Sequence, residues 1–339
     1  MHEPSVRDPE LNSPSAPASS SPWALILAAG QGERLAPLTR ALYGRDVPKQ
    51  FAALDGDRTL LQQTFARASH LSAEDRTVVV VADDQGGIAR RQLSRHPDTT
   101  IVEQPRNVGT LPGLLLPLAH ILARDPKARV VVYPADHHVG RTPPFVSAVR
   151  GALATIDHAP ARSVLVGARA DRPATDLGWI LQGQTIDSDG AELAEPGPRA
   201  VESFVEKPAS NVADELYSSG ALWNTLIFAF DGAAFWRDAL DAHEVLAAPF
   251  ELYRRSVGTT RERTMRRRIY AELPTLDLSR DLLAGRRGLA VVEMLDAGWS
   301  DCGTPERLFE CLAGDGHLDW LLRRLERRPP RAAAEGAFD

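Results

Sequence analysis

A regular alternation of short β-branched runs with longer amphipathic stretches constrains this chain more than any other feature. Strand candidates fall at 24–27, 77–82, 99–103, 129–133, 163–167, 203–206, 226–230 and 289–294. Between them, 59–71 and 110–124 carry apolar residues at helical spacing, and Pro143 and Pro144 suit the first turn of a helix running to Ile156. This order predicts an α/β fold, a mostly parallel sheet with helices on both faces. In such sheets ligands lie beyond the carboxyl ends of the strands, so the polar residues after each strand should carry the chemistry. After about Asp171 the alternation becomes irregular, with turn-rich segments at 187–190 and 195–198. A substrate-side extension built on the same sheet is expected there.

Bulk properties narrow the class. At 339 residues and 43% hydrophobic content, the chain can bury one large α/β domain or two modest ones. Its net charge of -6 opposes general attraction to nucleic acid or to an anionic membrane. Cys302 and Cys311 are the only cysteines, too few for a disulfide framework or a cysteine-rich metal site, which suggests a reducing compartment. No cleavable leader and no bilayer-length apolar run is evident, so a cytoplasmic location is expected. Residues 1–22 are dominated by Pro, Ser, Ala and charge, and are expected to be a disordered tail, as are those from about Arg327. The basic run RERTMRRR at 261–268 is expected to be a solvated helix face.

The first strand candidate runs straight into Leu27-Ala28-Ala29-Gly30-Gln31-Gly32-Glu33-Arg34-Leu35. Small residues there let the backbone approach a ligand and turn its N–H groups toward anionic oxygens, so a phosphate is the expected guest. Two common phosphate loops fail on residue identity: the dinucleotide fingerprint needs glycine where Leu35 stands, and a P-loop needs Gly-Lys-Ser/Thr. Arg34 and, within Pro48-Lys49-Gln50-Phe51, Lys49 bring two cations near the loop. Arg34 can grip two oxygens of a triphosphate, and Lys49 can act as a point charge.

LILAAGQGERL followed by PKQF resembles the start of the sugar-1-phosphate nucleotidyltransferases, above all the mannose-1-phosphate guanylyltransferases. Further matches follow in the family's order: Gln104-Pro105-Arg106-Asn107-Val108-Gly109-Thr110, Pro134-Ala135-Asp136-His137, Gly178-Trp179-Ile180 and Phe204-Val205-Glu206-Lys207-Pro208. Leu222-Trp223-Asn224-Thr225, Asp277 and Trp299-Ser300-Asp301-Cys302-Gly303 complete the series. The resemblance implies a doubly wound, mostly parallel mixed sheet, Rossmann-like and glycosyltransferase-A-like, with a nucleotide half at about 23–170, a sugar-phosphate half at about 171–313, and a terminal helix and tail at 314–339.

It also implies roles. Asp136 and Asp301 would be the ligands of a magnesium ion, a cation that takes a few carboxylates together with phosphate oxygens and waters. With Arg34 and Lys49 they form the expected catalytic set. Ala29, Gly30 and Gly32 would hold phosphates, and Gln104, Asn107, Gly109 and Thr110 would lie beside the base. Lys207 would bind the sugar phosphate, Glu206 and Asn224 the sugar hydroxyls, and Gly178 would let the backbone approach the sugar; Trp179 reads as packing. Asp277 matches an acidic position near sugar and metal, although helix capping ahead of 279–283 explains it nearly as well. GTP, or another nucleoside triphosphate, and a sugar-1-phosphate are the expected partners, with no nucleic acid or membrane. A homodimer is left open.

The sequence departs from the commonest guanylyltransferase wording at Arg106-Asn107-Val108-Gly109-Thr110, at Trp223-Asn224-Thr225 and at the single Gly178-Trp179-Ile180. These departures bear on base and sugar, so a thymidylyl-, uridylyl- or cytidylyltransferase acting on glucose-1-phosphate is the rival enzyme. A non-catalytic subunit that senses nucleotide sugars is the rival from another class. The sequence stops soon after Trp320, so assembly through a left-handed β-helix or isomerase domain is not expected. The sugar phosphate's own oxygen is the expected nucleophile; no general base is required, and His137 and His138 are read as hydrogen-bonding or packing residues.

Overall fold

The computed structural model describes residues 21–158, 163–186 and 197–327. The readings made for 1–20, for most of the turn-rich stretch at 187–198 and for 328–339 lie outside the described residues. Ser21 is already anchored, since its hydroxyl donates to Leu71 O and its carbonyl accepts from Arg76.

Eleven strands are described: β1 Trp23–Leu27, β2 Thr77–Ala82, β3 Thr100–Gln104, β4 Arg129–Pro134, β5 His138–Val139, β6 Ser163–Arg169, β7 Gly178–Thr185, β8 Arg199–Glu206, β9 Leu222–Asp231, β10 Leu289–Met294 and β11 Trp299–Ser300. Nine form one sheet in the order β3-β2-β1-β4-β9-β6-β10-β8-β7, and β5 pairs with β11 in a small ribbon. The expected α/β mixed sheet is present. Its parallel character is concentrated in β3-β2-β1-β4 and in the β6–β10 pair, while β9 runs antiparallel to both β4 and β6. The short ladder between β7 and β9 closes the irregular second half on itself, and β9 joins it to β4 and β6 of the first.

The valine run of β2 is buried throughout because both faces of the sheet are covered. Alternate residues feed different cores. Ile26, Val79, Val131 and Tyr133 pack with Leu61, Phe65 and Val149 on one side. Leu25, Val78, Val80 and Val132 pack with Leu114, Leu118, Phe235 and Tyr253 on the other. The helix Leu60–Ala68 starts where Thr59 and Gln62 form a reciprocal capping box. The helix Thr110–Arg124 is buried along most of its length, and the basic run lies on the helix Glu262–Glu272, where only Ile269 and Tyr270 are buried. Among the described residues no helix is long and apolar enough to cross a membrane.

Candidate active site

The glycine loop, read as the phosphate site, leaves β1 at Leu27. Gly32 adopts φ +65°, and a Cβ there would stand 2.8 Å from the backbone nitrogen of Lys49, so glycine is required by both conformation and space. Gly30 meets nothing within 4 Å; its space is open to a ligand. The loop is braced from below by Gln50, whose buried amide donates to Ala28 O at 2.8 Å and Gly30 O at 2.7 Å. Sequence reasoning quoted Gln50 within its motif and gave it no role; the signal available was its place beside Lys49.

Lys49 joins this loop to both predicted metal ligands. Its side chain is 6% exposed, and Nζ lies 3.0 Å from Asp136 Oδ2. The same ammonium donates to Asp301 O at 2.6 Å and Cys302 O at 3.4 Å. Lys49 is therefore a counter-ion built into the site, with its donors taken up by protein oxygens. Burial pushes the Asp136 carboxyl up, but the Lys49 and His137 charges and the hydrogen bond from Lys49 together outweigh it and hold the carboxyl below the usual range. His137 Nε2 stands 3.6 Å from the other Asp136 oxygen, and Trp299 donates to His137 Nδ1 at 3.3 Å.

Asp301 is engaged differently. Both of its oxygens accept from Arg307, at 3.0 and 3.1 Å, and Arg307 also pairs with Asp176. Asp176 in turn accepts from Arg34 at 3.2 Å, closing a chain from the phosphate loop to Asp301. A Cβ on Gly303 would stand 3.0 Å from Arg34 Nη2, so the loop and the Asp301 turn approach closely. Arg307 and Asp176 were missed by sequence reasoning, because a pair 131 positions apart leaves neither periodicity nor motif. The donor set fits a hard cation, provided that Arg307 yields one Asp301 oxygen. A cavity of about 260 Å³ beside Asp301 is lined by Trp223, Trp299 and Arg307 among others.

The residues read as base-binding are partly committed to structure. Gly109, at φ +90°, lets the backbone close on Leu276, and Leu111 N donates to Leu276 O at 3.1 Å. Thr110 Oγ1 donates to Asp277 at 3.1 Å and accepts from Leu278 N at 2.7 Å, while Asn107 Oδ1 accepts from Gly109 N at 3.0 Å. Arg106 donates to the carbonyls of Tyr270, Ala271 and Leu273 at the end of a helix, a capping role. Gln104 is the exception: Oε1 is buried and has no partner among the described residues.

The sugar-side residues assemble where β7 begins, β8 ends and β9 begins. Gly178 pairs with Glu206 across the β7–β8 ladder, and a Cβ there would stand 2.6 Å from Glu206 Oε2 and 3.3 Å from Asn224 Cβ. Burial pushes the Glu206 carboxyl up, the Asp277 charge adds to this, and Lys207 only partly opposes it. Lys207 Nζ lies 3.6 Å from Glu206 and its side chain is 62% exposed. Asn224 Oδ1 accepts from Leu226 N at 3.1 Å, Asp277 Oδ1 caps Arg280 N at 2.9 Å, and Trp179 is fully buried packing. Lys207, Leu226 and Cys302 all have left-handed backbones, at φ 47°, 56° and 43°. Each adjoins or nearly adjoins a site residue, and each costs about 1–2 kcal/mol that the surrounding packing must offset.

These contacts bring the glycine loop, Lys49, Asp136 and Asp301 into one site on an α/β sheet. Residues 23–316 match the family model described as nucleotidyl transferase, and the chain belongs to that family. It is 31% identical over 297 residues to the mannose-1-phosphate guanylyltransferase ManC of Salmonella typhimurium, covering 86% of this chain and 59% of that protein. It is 30% identical over 309 residues to the mannose-1-phosphate guanylyltransferase of Escherichia coli, covering 87% and 61%. Among solved structures, one described as a mannose-1-phosphate geranyltransferase from Thermus thermophilus superposes with TM-score 0.70 at 30% identity, covering 84% of this chain and 76% of that one. The chain thus spans about three fifths of the length of these two curated relatives.

Proposed function

We propose that the protein transfers GMP from GTP to mannose-1-phosphate, giving a nucleotide sugar and pyrophosphate. The observation that carries this reading is the Lys49 ammonium, which ties Asp136 to the Asp301 segment while Gly32 packs against the Lys49 backbone. The names of the relatives support the choice of base and sugar.

An oxygen of the sugar phosphate, already ionised at neutral pH, attacks the α-phosphorus in line. The new P–O bond forms as the bond to the β-phosphate oxygen breaks, and that electron pair leaves with pyrophosphate. No side chain has to take a proton, so neither His137 nor His138 is given an acid–base role. Asp136 and Asp301 would hold a magnesium ion, which when bound supplies positive charge to the oxygens of the transferring phosphate. The open Gly30 loop and Arg34 hold the leaving pyrophosphate, with Lys49 fixing the Asp136 carboxylate and the Asp301 backbone behind it. Gln104, through its unpaired buried oxygen, faces the base. Lys207 takes the sugar phosphate, and Glu206 and Asn224 take sugar hydroxyls.

Pyrophosphate release from GTP, dTTP, UTP and CTP, each with mannose- or glucose-1-phosphate and with or without magnesium, tests this reading. The GTP and mannose-1-phosphate pair should be fastest and dependent on the metal. Preference for another nucleotide with glucose-1-phosphate would make the rival transferase correct, and binding without any release would make the sensor correct.

A further inference from the structure

The two cysteines of the chain meet behind the carboxylates just described, and they meet at a histidine. A ring nitrogen of His138, Cys311 Sγ and a carboxylate oxygen of Asp315 all lie within 4.8 Å of one another, and Nε2 is the ring nitrogen that bonds Asp315. The Cys302 thiol lies close enough to the Cys311 thiol for the two to interact electrostatically, at the edge of the same cluster. On its other ring nitrogen, His138 bonds Asp55 Oδ2 at 2.7 Å, and the imidazole and Asp55 side chains are only 4% and 6% exposed. Gly140 leaves the room that Asp315 occupies, since a Cβ there would stand 2.8 Å from Asp315 Oδ1.

We propose that His138 Nε2, Cys311 Sγ and the Asp315 carboxylate form a second metal site, for zinc, with Cys302 beside the fourth position. The donor chemistry selects the ion. Imidazole, thiolate and carboxylate together suit zinc, whereas the all-oxygen pair Asp136 and Asp301 suits magnesium. Asp55 stands where an outer carboxylate orients a metal-binding histidine by accepting its other N–H. Charge also balances: Zn²⁺ meets one thiolate, one carboxylate and a neutral imidazole, and the protons of the Cys311 thiol and of Nε2 are released to solvent. At present His138 Nε2 and Asp315 Oδ2 are 2.5 Å apart in a direct hydrogen bond, so they must separate by about 1 Å to share an ion at usual zinc–ligand lengths.

The placement gives the ion a structural purpose. His138 lies two positions after Asp136, Cys302 one after Asp301, and Cys311 and Asp315 belong to the helix Pro305–Gly314 and its C-cap. Zinc would therefore pin the segments that carry both catalytic carboxylates to one helix end. The inference does not depend on the choice of nucleotide or sugar.

The test is zinc stoichiometry in the full chain, reduced, stripped with chelator and retitrated with zinc in excess magnesium. The wild type should retain about one tight equivalent. Cys311→Ser and Asp315→Asn should lose it, Asp55→Asn should bind about 10–100-fold more weakly, and Asp136→Asn should keep it. Asp315 is partly exposed, so its variant remains informative if Cys311→Ser folds poorly. Wild type that takes up no more zinc than Cys311→Ser and Asp315→Asn, or Asp136→Asn that loses as much as they do, would overturn the proposal.

Discussion

On the proposed phosphate side of the crevice Lys49 is almost wholly buried and its ammonium is taken up by three protein oxygens, whereas on the proposed sugar side Lys207 is mostly exposed, with Glu206 3.6 Å from its Nζ. The first cation is part of the architecture; the second is available to a ligand. The carboxylates differ in the same sense. Asp136 is kept ionised by its neighbour, while burial pushes Glu206 toward its neutral form. On the proposed reading, reaction geometry is set in advance on one side, and substrate choice is left to groups that can still adjust on the other. Substitutions on the first side should affect both stability and turnover, and those on the second mainly substrate affinity.

The largest effect is expected from Lys49→Met. Removing the ammonium leaves Asp136 without its counter-charge and two carbonyls without a donor, so kcat should fall on the order of 10³-fold. Stability should fall as well, by about 2 kcal/mol, measurable by urea unfolding. Near-normal stability would break the contrast with Lys207. Next come the two glycines of the loop. Gly32→Ala forces a side chain into left-handed backbone against Lys49 and should destabilise by about 1–2 kcal/mol, while Gly30→Ala should stay within about 0.5 kcal/mol and weaken only nucleotide binding. Equal melting temperatures for the pair would count against the loop geometry.

On the sugar side, Lys207→Met should raise KM for the sugar phosphate about tenfold, a loss of ~1.4 kcal/mol, without moving the melting temperature, since exposed ion pairs add little stability. A matching loss of stability would show that Lys207 is structural. The smallest effect concerns pH. If ionised Glu206 accepts a sugar hydroxyl, kcat/KM for the sugar phosphate falls on acidification at a pH above the ordinary glutamate range. Asp277→Asn removes a neighbouring negative charge, lowers the Glu206 pKa and moves that limb to lower pH. A limb that stays in place would separate Glu206 from sugar recognition.

What the sequence made legible follows the same division. The helix Thr110–Arg124 and the strands Thr77–Ala82 and Leu289–Met294 were read with their observed limits, because each has the uninterrupted periodicity or apolar run of a buried element. Gly178–Thr185 was missed: its burial fades along its length and two glycines interrupt it, so it never alternates. Leu222–Asp231 was read only from Leu226, where the left-handed backbone and the nearby β-bulge break the pattern. In the site, the motifs marked Lys49, Asp136 and Asp301 but not their wiring. The Arg34–Asp176–Arg307–Asp301 chain joins distant charged residues, which a linear pattern cannot pair. Asp277 proved to be a helix cap, one of its two readings, and its charge also acts on Glu206.

The central claim is that Asp136, held ionised by Lys49, belongs to the reacting centre and is not a surface carboxylate. Pyrophosphate release from GTP and mannose-1-phosphate by the Asp136→Asn variant, measured across a magnesium titration, addresses it most directly. The account predicts a loss of at least about 10²-fold at every magnesium concentration, with the fold intact by circular dichroism. A variant that turns over at nearly the wild-type rate while still requiring magnesium would contradict it.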